Sequence, residues 1–252
     1  MFDFANILFA GPCNRACPWC IGKRLPVEAN RSNLDLWPLR NLEGFIARVN
    51  EEKVREIVFT GTVSDPHLYR YEGELIEELR RRLHPEARIS IHTNGVLSLK
   101  KLSVFNLYDR AAISFPSFEP GIYEKLMGSR HVPDLARILE RAAVPVKVSA
   151  VVTEHNEPGV ERFLERCRGT GVRRLVLRRL FGEGGDARPW PVFAGLRLTG
   201  QYRGNPVMDF SGMEVTLWSF EASTCRSLNL FADGTLGTSY LLTETPELKR
   251  TA

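Results

Sequence analysis

The sequence predicts an α/β fold, a parallel sheet built from βα units and followed by a shorter antiparallel β-rich extension. Three observations predict it. Short apolar runs recur with helical patterns between them. Polar or glycine-containing segments follow most of those runs. Beyond about residue 185 the texture changes to hairpin signals. The unit boundaries read from this are 1–185 for the βα part and 186–252 for the extension.

The runs that predict strands are Ile7–Ala10, Ile57–Thr60, Ile89–His92, Ala111–Phe115, Val146–Val152 and Leu175–Leu177. Helical patterns lie at Asn41–Val49, Glu72–Leu83, Pro133–Ala142 and Pro158–Cys167. Within the second, Leu75, Ile76, Leu79 and Leu83 keep one face apolar. The third opens on a proline suited to a first helical position. Strand followed by helix, repeated about six times, reads as a parallel sheet closed as a barrel or left open. A linker, 182–191 (GEGGDARPWP), precedes two hairpins. One joins Pro206–Phe210 to Met213–Trp218 around Ser211-Gly212. The other joins Leu228–Phe231 to Thr235–Leu242 around an Asp233-Gly234 turn signal.

Composition sets outer limits. The chain has 252 residues, 43% apolar and 25% charged, ordinary values for a folded domain. No apolar run reaches membrane-spanning length, and the N-terminus lacks a basic lead-in. Five cysteines, unevenly placed, do not form a disulfide framework, so a reducing cytoplasm is expected. The net charge is +4, with arginine doublets and triplets at Arg80–Arg82, Arg173–Arg174 and Arg178–Arg179. These read as solvated faces or as a site for an anionic substrate or RNA.

In a parallel sheet the carboxyl ends of all strands lie along one rim, where ligands bind. The segments that follow the predicted strands therefore converge there: Gly11–Cys20, Gly61–Pro66, Thr93–Gly95, Ser114–Ser117, Thr153–Asn156 and Arg178–Arg179. His67, His92 and His155 fall near the same rim, each a structural group or a proton carrier. Tyr69 and Tyr71 read first as packing residues.

The first segment, GPCNRACPWCIG, places Cys13, Cys17 and Cys20 within eight positions. A structural zinc site wants four ligands, usually as two pairs, and no second pair exists. A redox Cys-Pro-Trp-Cys pair would leave Cys13 surplus. Three thiolates on one loop also suit an iron–sulfur cube that keeps one iron open.

Cys13-x3-Cys17-x-Trp19-Cys20 after an initial strand resembles the signature of the radical S-adenosylmethionine (radical SAM) superfamily, over roughly residues 5–180. In texture the chain is similar to the molybdopterin-precursor synthase and peptide-modifying branch. The resemblance implies a partial (β/α)6 TIM-like barrel and a [4Fe-4S] cluster held by Cys13, Cys17 and Cys20. It further implies that the open iron chelates S-adenosylmethionine (SAM). One electron then yields a 5′-deoxyadenosyl radical that abstracts hydrogen from a small-molecule or peptide substrate in a biosynthetic pathway. An electron donor such as flavodoxin or ferredoxin is implied as partner. The alternatives are an RNA- or nucleotide-modifying member of the family, and a non-catalytic iron–sulfur protein that passes electrons or senses oxygen.

By the same resemblance, Trp19, Gly61, Thr62, Asp65, Asn94, Ser114 and Arg179 are candidate cofactor-binding residues. The family's Gly-Gly-Glu-Pro segment after the second strand is replaced here by 60–66 (TGTVSDP), with Asp65-Pro66 a shifted counterpart. Thr93-Asn94-Gly95 resembles the family's Thr-Asn-Gly, and Ser114 its serine after the fourth strand. Arg179 would face the SAM carboxylate and Trp19 the adenine, while Asn156 is a weaker counterpart. Cys225 flanks the Asp233-Gly234 turn as cysteines of the peptide-modifying branch flank theirs. Ser239 stands where a second ligand is expected, so no auxiliary cluster is expected.

Overall fold

The computed structural model describes residues 2–180, 190–220 and 222–239. The linker segment and the end of the last predicted strand lie largely outside the described residues. Six strands, β1 (Phe4–Phe9), β2 (Glu56–Gly61), β3 (Arg88–Thr93), β4 (Arg110–Ser114), β5 (Val146–Val152) and β6 (Arg174–Arg179), follow one another in space as in sequence, all parallel. Helices α1 (Leu42–Glu51), α2 (Glu72–Arg82), α3 (Leu102–Phe105), α4 (Pro120–Met127), α5 (Leu135–Arg141) and α6 (Val160–Gly169) connect them. Consecutive parallel order with helical returns is the winding of a partial barrel.

The period of two along each strand separates the faces. Ile7, Phe9, Ile57, Phe59, Ile89, Ile91, Ile113, Val148 and Leu177 share one buried cluster with Phe45, Ile46, Leu75, Leu79, Ile138 and Leu164 of the helices. This is the core. The other face, here the inner face, carries Asn6, Val58, Ser90, His92, Ala112, Ser114, Lys147, Ser149, Val176 and Arg178. Leu8 is the exception, packing with Leu25, Ala29 and Phe231 in a small second cluster.

α3 and α4 escape the sequence pattern. The first is four residues long, too short to show a period. The second begins at Pro120, ends at Gly128 with φ +68°, and buries only Tyr123, Leu126 and Met127. Gly128 is required for a further reason: a Cβ there would press on the Ala16 backbone, so α4 can meet the cysteine loop only through a glycine.

The extension joins the sheet itself. β8 (Asn205–Phe210) and β9 (Met213–Trp218) form the hairpin read from the sequence, with Ser211 and Gly212 both at positive φ as a primed turn requires. β9 then pairs parallel to β6, and β7 (Arg197–Tyr202) adds an exposed antiparallel edge. At the opposite edge β10 (Ser227–Leu230) pairs parallel to β1, and β11 (Leu236–Gly237) pairs antiparallel to β10. The result is one 11-stranded sheet with antiparallel pairings at both ends. Only β8 and β11 run against the other strands, because β9 and β10 complete exposed edges of the parallel sheet and β7, antiparallel to β8, runs the same way as β9.

The β1–β10 seam is pinned by polar contacts. Asn6 Nδ2 donates to Asn229 Oδ1 at 2.7 Å, and Asn229 Nδ2 donates to the Ser239 carbonyl at 2.8 Å, with Asn6 and Asn229 both buried. Above the last paired residue of β10, the Asn33 amide replaces it against β1, accepting from Ala10 N and donating to Leu8 O at 3.0 Å each. Asn229→Ala leaves the buried Asn6 amide without its acceptor. It is expected to lower the unfolding free energy by about 2 kcal/mol, read from urea denaturation. An unchanged transition midpoint would show that the pair does not fasten the seam.

Candidate functional site

The cysteine loop sits at the carboxyl end of β1 and is docked from below and from the side. Ala16 N donates to the Met127 carbonyl at the end of α4 (3.2 Å), and the Cys17 thiol faces Met127 O and Sδ at 3.8 and 3.9 Å. The Cys20 thiol donates to Thr62 O at 2.8 Å, and Cys13 lies exposed beside Asn14. Lys23 Nζ caps the Cys17 carbonyl at 2.8 Å. Among the described residues no three His, Cys, Asp or Glu side chains converge as ligands of a single metal ion. The three thiols share one loop.

Burial pushes the Cys17 thiol up to about 11, with the charges of Cys20 and Cys13 acting the same way. Cys13 is raised as well, again chiefly by burial. Both thiols are therefore protonated at neutral pH, and metal uptake releases protons. Two buried polar atoms beside them, Asn14 Nδ2 and Trp19 Nε1, have no hydrogen-bond partner in the structure. Orphaned donors next to three thiols fit a site that receives a cofactor with acceptor atoms.

The rim segments after β2 and β3 are locked together. Gly61 ends β2 in a turn so tight that a Cβ would collide with the Ser64 carbonyl oxygen. The turn delivers Asp65 inward, 3% exposed. Its carboxylate accepts from His67 N (3.1 Å), Thr93 Oγ1 (2.9 and 3.0 Å) and Asn94 N (2.7 Å). Burial raises the pKa of Asp65 against the pull of His67 and these hydrogen bonds. Asn94 Nδ2 then donates to Asn14 Oδ1 at 2.7 Å, which carries the connection into the cysteine loop.

Of the candidates read from the sequence, Trp19, Gly61, Thr62, Asp65 and Asn94 are brought around the cysteine loop. Thr62 is buried, its hydroxyl on Asn30 Oδ1 at 2.9 Å and its carbonyl on Cys20. Ser114 stands on the inner face, exposed at the end of β4. Arg179 is not brought to that face. Strand alternation turns it to the helix side, where Nη1 meets Glu157 Oε2 at 3.0 Å and the guanidinium lies 4.3 Å from the Trp190 ring centroid. Its neighbour Arg178 points inward instead. Asn156 is also committed to structure, donating to Pro116 O and Val151 O and accepting from Thr153 N.

The histidines divide. His155 is half-buried beside Glu154. His92 lies on the inner face. His67 is a buried structural group. Its Nδ1 lies 2.9 Å from Glu72 Oε1, and Glu72 also accepts from Lys101 Nζ (2.6 Å) and Tyr108 Oη (2.7 Å). Tyr69 is buried with its hydroxyl on Leu36 O, a packing role. The sequence showed no sign of Asn14, Asn33 or Glu72; their value comes from partners distant along the chain.

The Radical SAM superfamily model matches residues 7–176, and the chain belongs to that superfamily. Its members are enzymes whose cofactors are a [4Fe-4S] cluster and S-adenosylmethionine. No curated protein matched the sequence. Among solved structures the chain is similar to Streptococcus suis SuiB bound to precursor peptide SuiA (TM-score 0.54, 18% identity, 71% of this chain and 40% of that one). It is also similar to SuiB bound to S-adenosylmethionine (TM-score 0.54, 18% identity, 73% and 42%). A third is native anSMEcpe with bound AdoMet (TM-score 0.50, 19% identity, 69% and 51%). The chain thus spans between 40% and 51% of the length of these neighbours, whose shared property with it is the fold. No helix among the described residues is long and apolar enough to cross a membrane.

Glu72 anchors the foot of the β2 rim. Burial raises its pKa, but His67 and Lys101 outweigh that and the net direction is down. A carboxylate lowered by folding contributes stability above its unfolded pKa, about 4.3, that is lost as the pH falls through the folded value. Glu72→Gln is expected to cost about 3 kcal/mol at pH 7. The gap to the natural protein should close as the pH drops below about 4. Urea denaturation at stepped pH measures both; a gap independent of pH would mean that the charge on Glu72 does not hold the network.

Proposed function

We propose that this chain is a radical SAM enzyme acting on a small-molecule or peptide substrate in a biosynthetic pathway. The observation that carries the proposal is the cysteine loop itself, three thiols at the carboxyl end of β1, backed by buried donors and tied to two neighbouring rim segments. Cys13, Cys17 and Cys20 hold the cluster. When bound, it supplies the electron that converts SAM to a 5′-deoxyadenosyl radical able to abstract hydrogen from a substrate. The chain's own residues fix and shield that chemistry. Thr62 orients Cys20 through its carbonyl. Asp65 and Asn94 set the height of the loop rather than contact a ligand through free oxygens. Trp19 and Asn14 offer hydrogen-bond donors, and Ser114 offers a hydroxyl at the mouth of the inner face.

A peptide substrate agrees with the fold shared with SuiB, which is bound to a precursor peptide in its own structure. Residues 1–185 make the catalytic barrel and 186–252 the extension that closes its edges. A flavodoxin or ferredoxin supplies the electron, in the cytoplasm.

Anaerobic reconstitution with iron and sulfide is expected to give a brown protein with broad visible absorption. Adding SAM and dithionite should release 5′-deoxyadenosine, measured by liquid chromatography. Cys13→Ser, Cys17→Ser and Cys20→Ser should each lower the yield at least about 100-fold. A fully loaded protein that leaves SAM intact under several reductants would reject catalysis in favour of an electron-transfer or sensing role. A colourless protein holding about one zinc would reject the cluster as well.

A further inference from the structure

The inner face carries more cations than carboxylates to match them, and the mismatch is local. At the lower end of the strands Arg110 and Arg174 are paired across neighbours. Arg110 Nη2 meets Glu56 Oε1 at 3.3 Å, and Arg174 Nε meets Glu214 Oε1 at 2.9 Å. One step higher, pairing stops. In strand register His92 of β3 lies beside Ala112 of β4, and Ala112 beside Lys147 of β5. Arg178 of β6 folds back toward the same place, its Nε donating to Ser149 Oγ at 2.8 Å. Ser149 is two residues beyond Lys147 on the same face. Among the described residues no carboxylate pairs with Lys147 or Arg178, and Lys147 Nζ has no hydrogen-bond partner.

Above Arg110, the β4 residues on this face are the small Ala112 and Ser114, and Ser114 is exposed. Arg178 is braced rather than neutralised, with the Trp218 ring centroid 5.8 Å and the Phe220 ring centroid 5.7 Å from its guanidinium carbon. Aromatic faces hold a guanidinium in place and leave its donors available. Burial and the charges of Arg178, Arg174 and Arg110, partly offset by Glu214, draw Lys147 down to about 8. Burial first, then Lys147 and Arg178, lower His92 well below its ordinary value, so it is a neutral donor and acceptor at pH 7. Two adjacent cations left unpaired in a half-buried cleft are costly unless an anion joins them.

We propose that Lys147 and Arg178, with His92 beside them, form an oxyanion-binding site on the inner face that receives a carboxylate or phosphate group of the substrate. Arg178 presents a planar fork suited to such a group and Lys147 a point charge. The word substrate rests on the radical SAM reading; the anion site itself does not. The site deepens that reading by giving the substrate a negative charge.

The test uses anaerobically reconstituted protein carrying 13C at lysine Cε, with the Lys147 signal identified by its loss in Lys147→Met. Inorganic phosphate and succinate are the probes, and sodium chloride at matched ionic strength is the control. Phosphate or succinate is expected to move the Lys147 signal and raise its titration midpoint, while chloride does neither. The stronger of the two probes tells a phosphorylated substrate from a carboxylated one. Arg178→Gln, with folding verified by circular dichroism and cluster absorption, should weaken the apparent affinity for the probe by about tenfold. A response no larger than that of chloride overturns the proposal. So does a response that saturating SAM abolishes, because the pair would then serve the SAM carboxylate. Release of 5′-deoxyadenosine by the same preparation is scored separately, so an active protein without an anion response sinks only this inference. An anion response without SAM cleavage supports the site and sinks only the catalytic reading.

Discussion

The arrangement of the rim depends on one buried carboxylate. Among the described residues Asp65 has no salt-bridge partner; it is held by a backbone N–H from its own turn and by the hydroxyl and backbone N–H of Thr93 and Asn94 across the strand boundary. A charge buried this deeply persists only when its lone pairs are filled, and each donor that fills them belongs to a rim segment. The cost of burying it therefore acts as a restraint on two loops at once. Asn94 passes that restraint to Asn14, and so to the cysteine loop. Thr62, in the same turn as Asp65, holds Cys20 from the other side. The positions of the thiols are set by a hydrogen-bond path that begins in a residue bearing no sulfur.

The fold was largely legible in the sequence because its signals are local. Strands with β-branched and aromatic runs, the helical period of Leu75, Ile76 and Leu79, and the Ser211-Gly212 turn all involve neighbours a few positions apart. α3 was not legible because four residues cannot display a period, and α4 because its few buried residues follow Pro120-Gly121 without a longer apolar stripe. The attachment of β9 and β10 to the two edges of the parallel sheet was not legible either. Edge pairing is a backbone interaction that any extended segment satisfies, and only the three-dimensional course of the chain decides which edge is reached.

At the site, the cysteine spacing was the strongest signal. The finer assignments depended on which side of a strand a residue faces. Arg178 and Arg179 are adjacent and chemically identical, yet one lies over the inner face and the other is buried against Glu157 and Trp190. A one-residue uncertainty in where β6 begins exchanges their roles. Asp65 shows a different limit. Its place after the second strand suggested a cofactor contact, but the structure supplies three donors to it from the protein. Its chemistry is that of a strut, and no pattern in the sequence announces that Thr93 and Asn94 will be the groups that reach it.

The extension braces the inner face from both edges of the sheet. β9 completes the hydrogen bonding of β6, and its last residue, Trp218, is paired in register with Arg178. That contact, with Phe220 just beyond, keeps the guanidinium folded toward Ser149 and Lys147 rather than released to solvent. At the far edge, β10 and Phe231 close over Leu8 with Leu25 and Ala29. One end of the inner face is thus filled with apolar side chains and the other is lined with cations. A polar ligand entering beneath the cysteine loop meets an apolar wall on the β1 side and charge on the β6 side, so its negative group is driven toward Lys147 and Arg178. β1 carries the cysteine loop, whereas the extension, by bracing one arginine and sealing the opposite edge, makes the inner face charged on one side and apolar on the other.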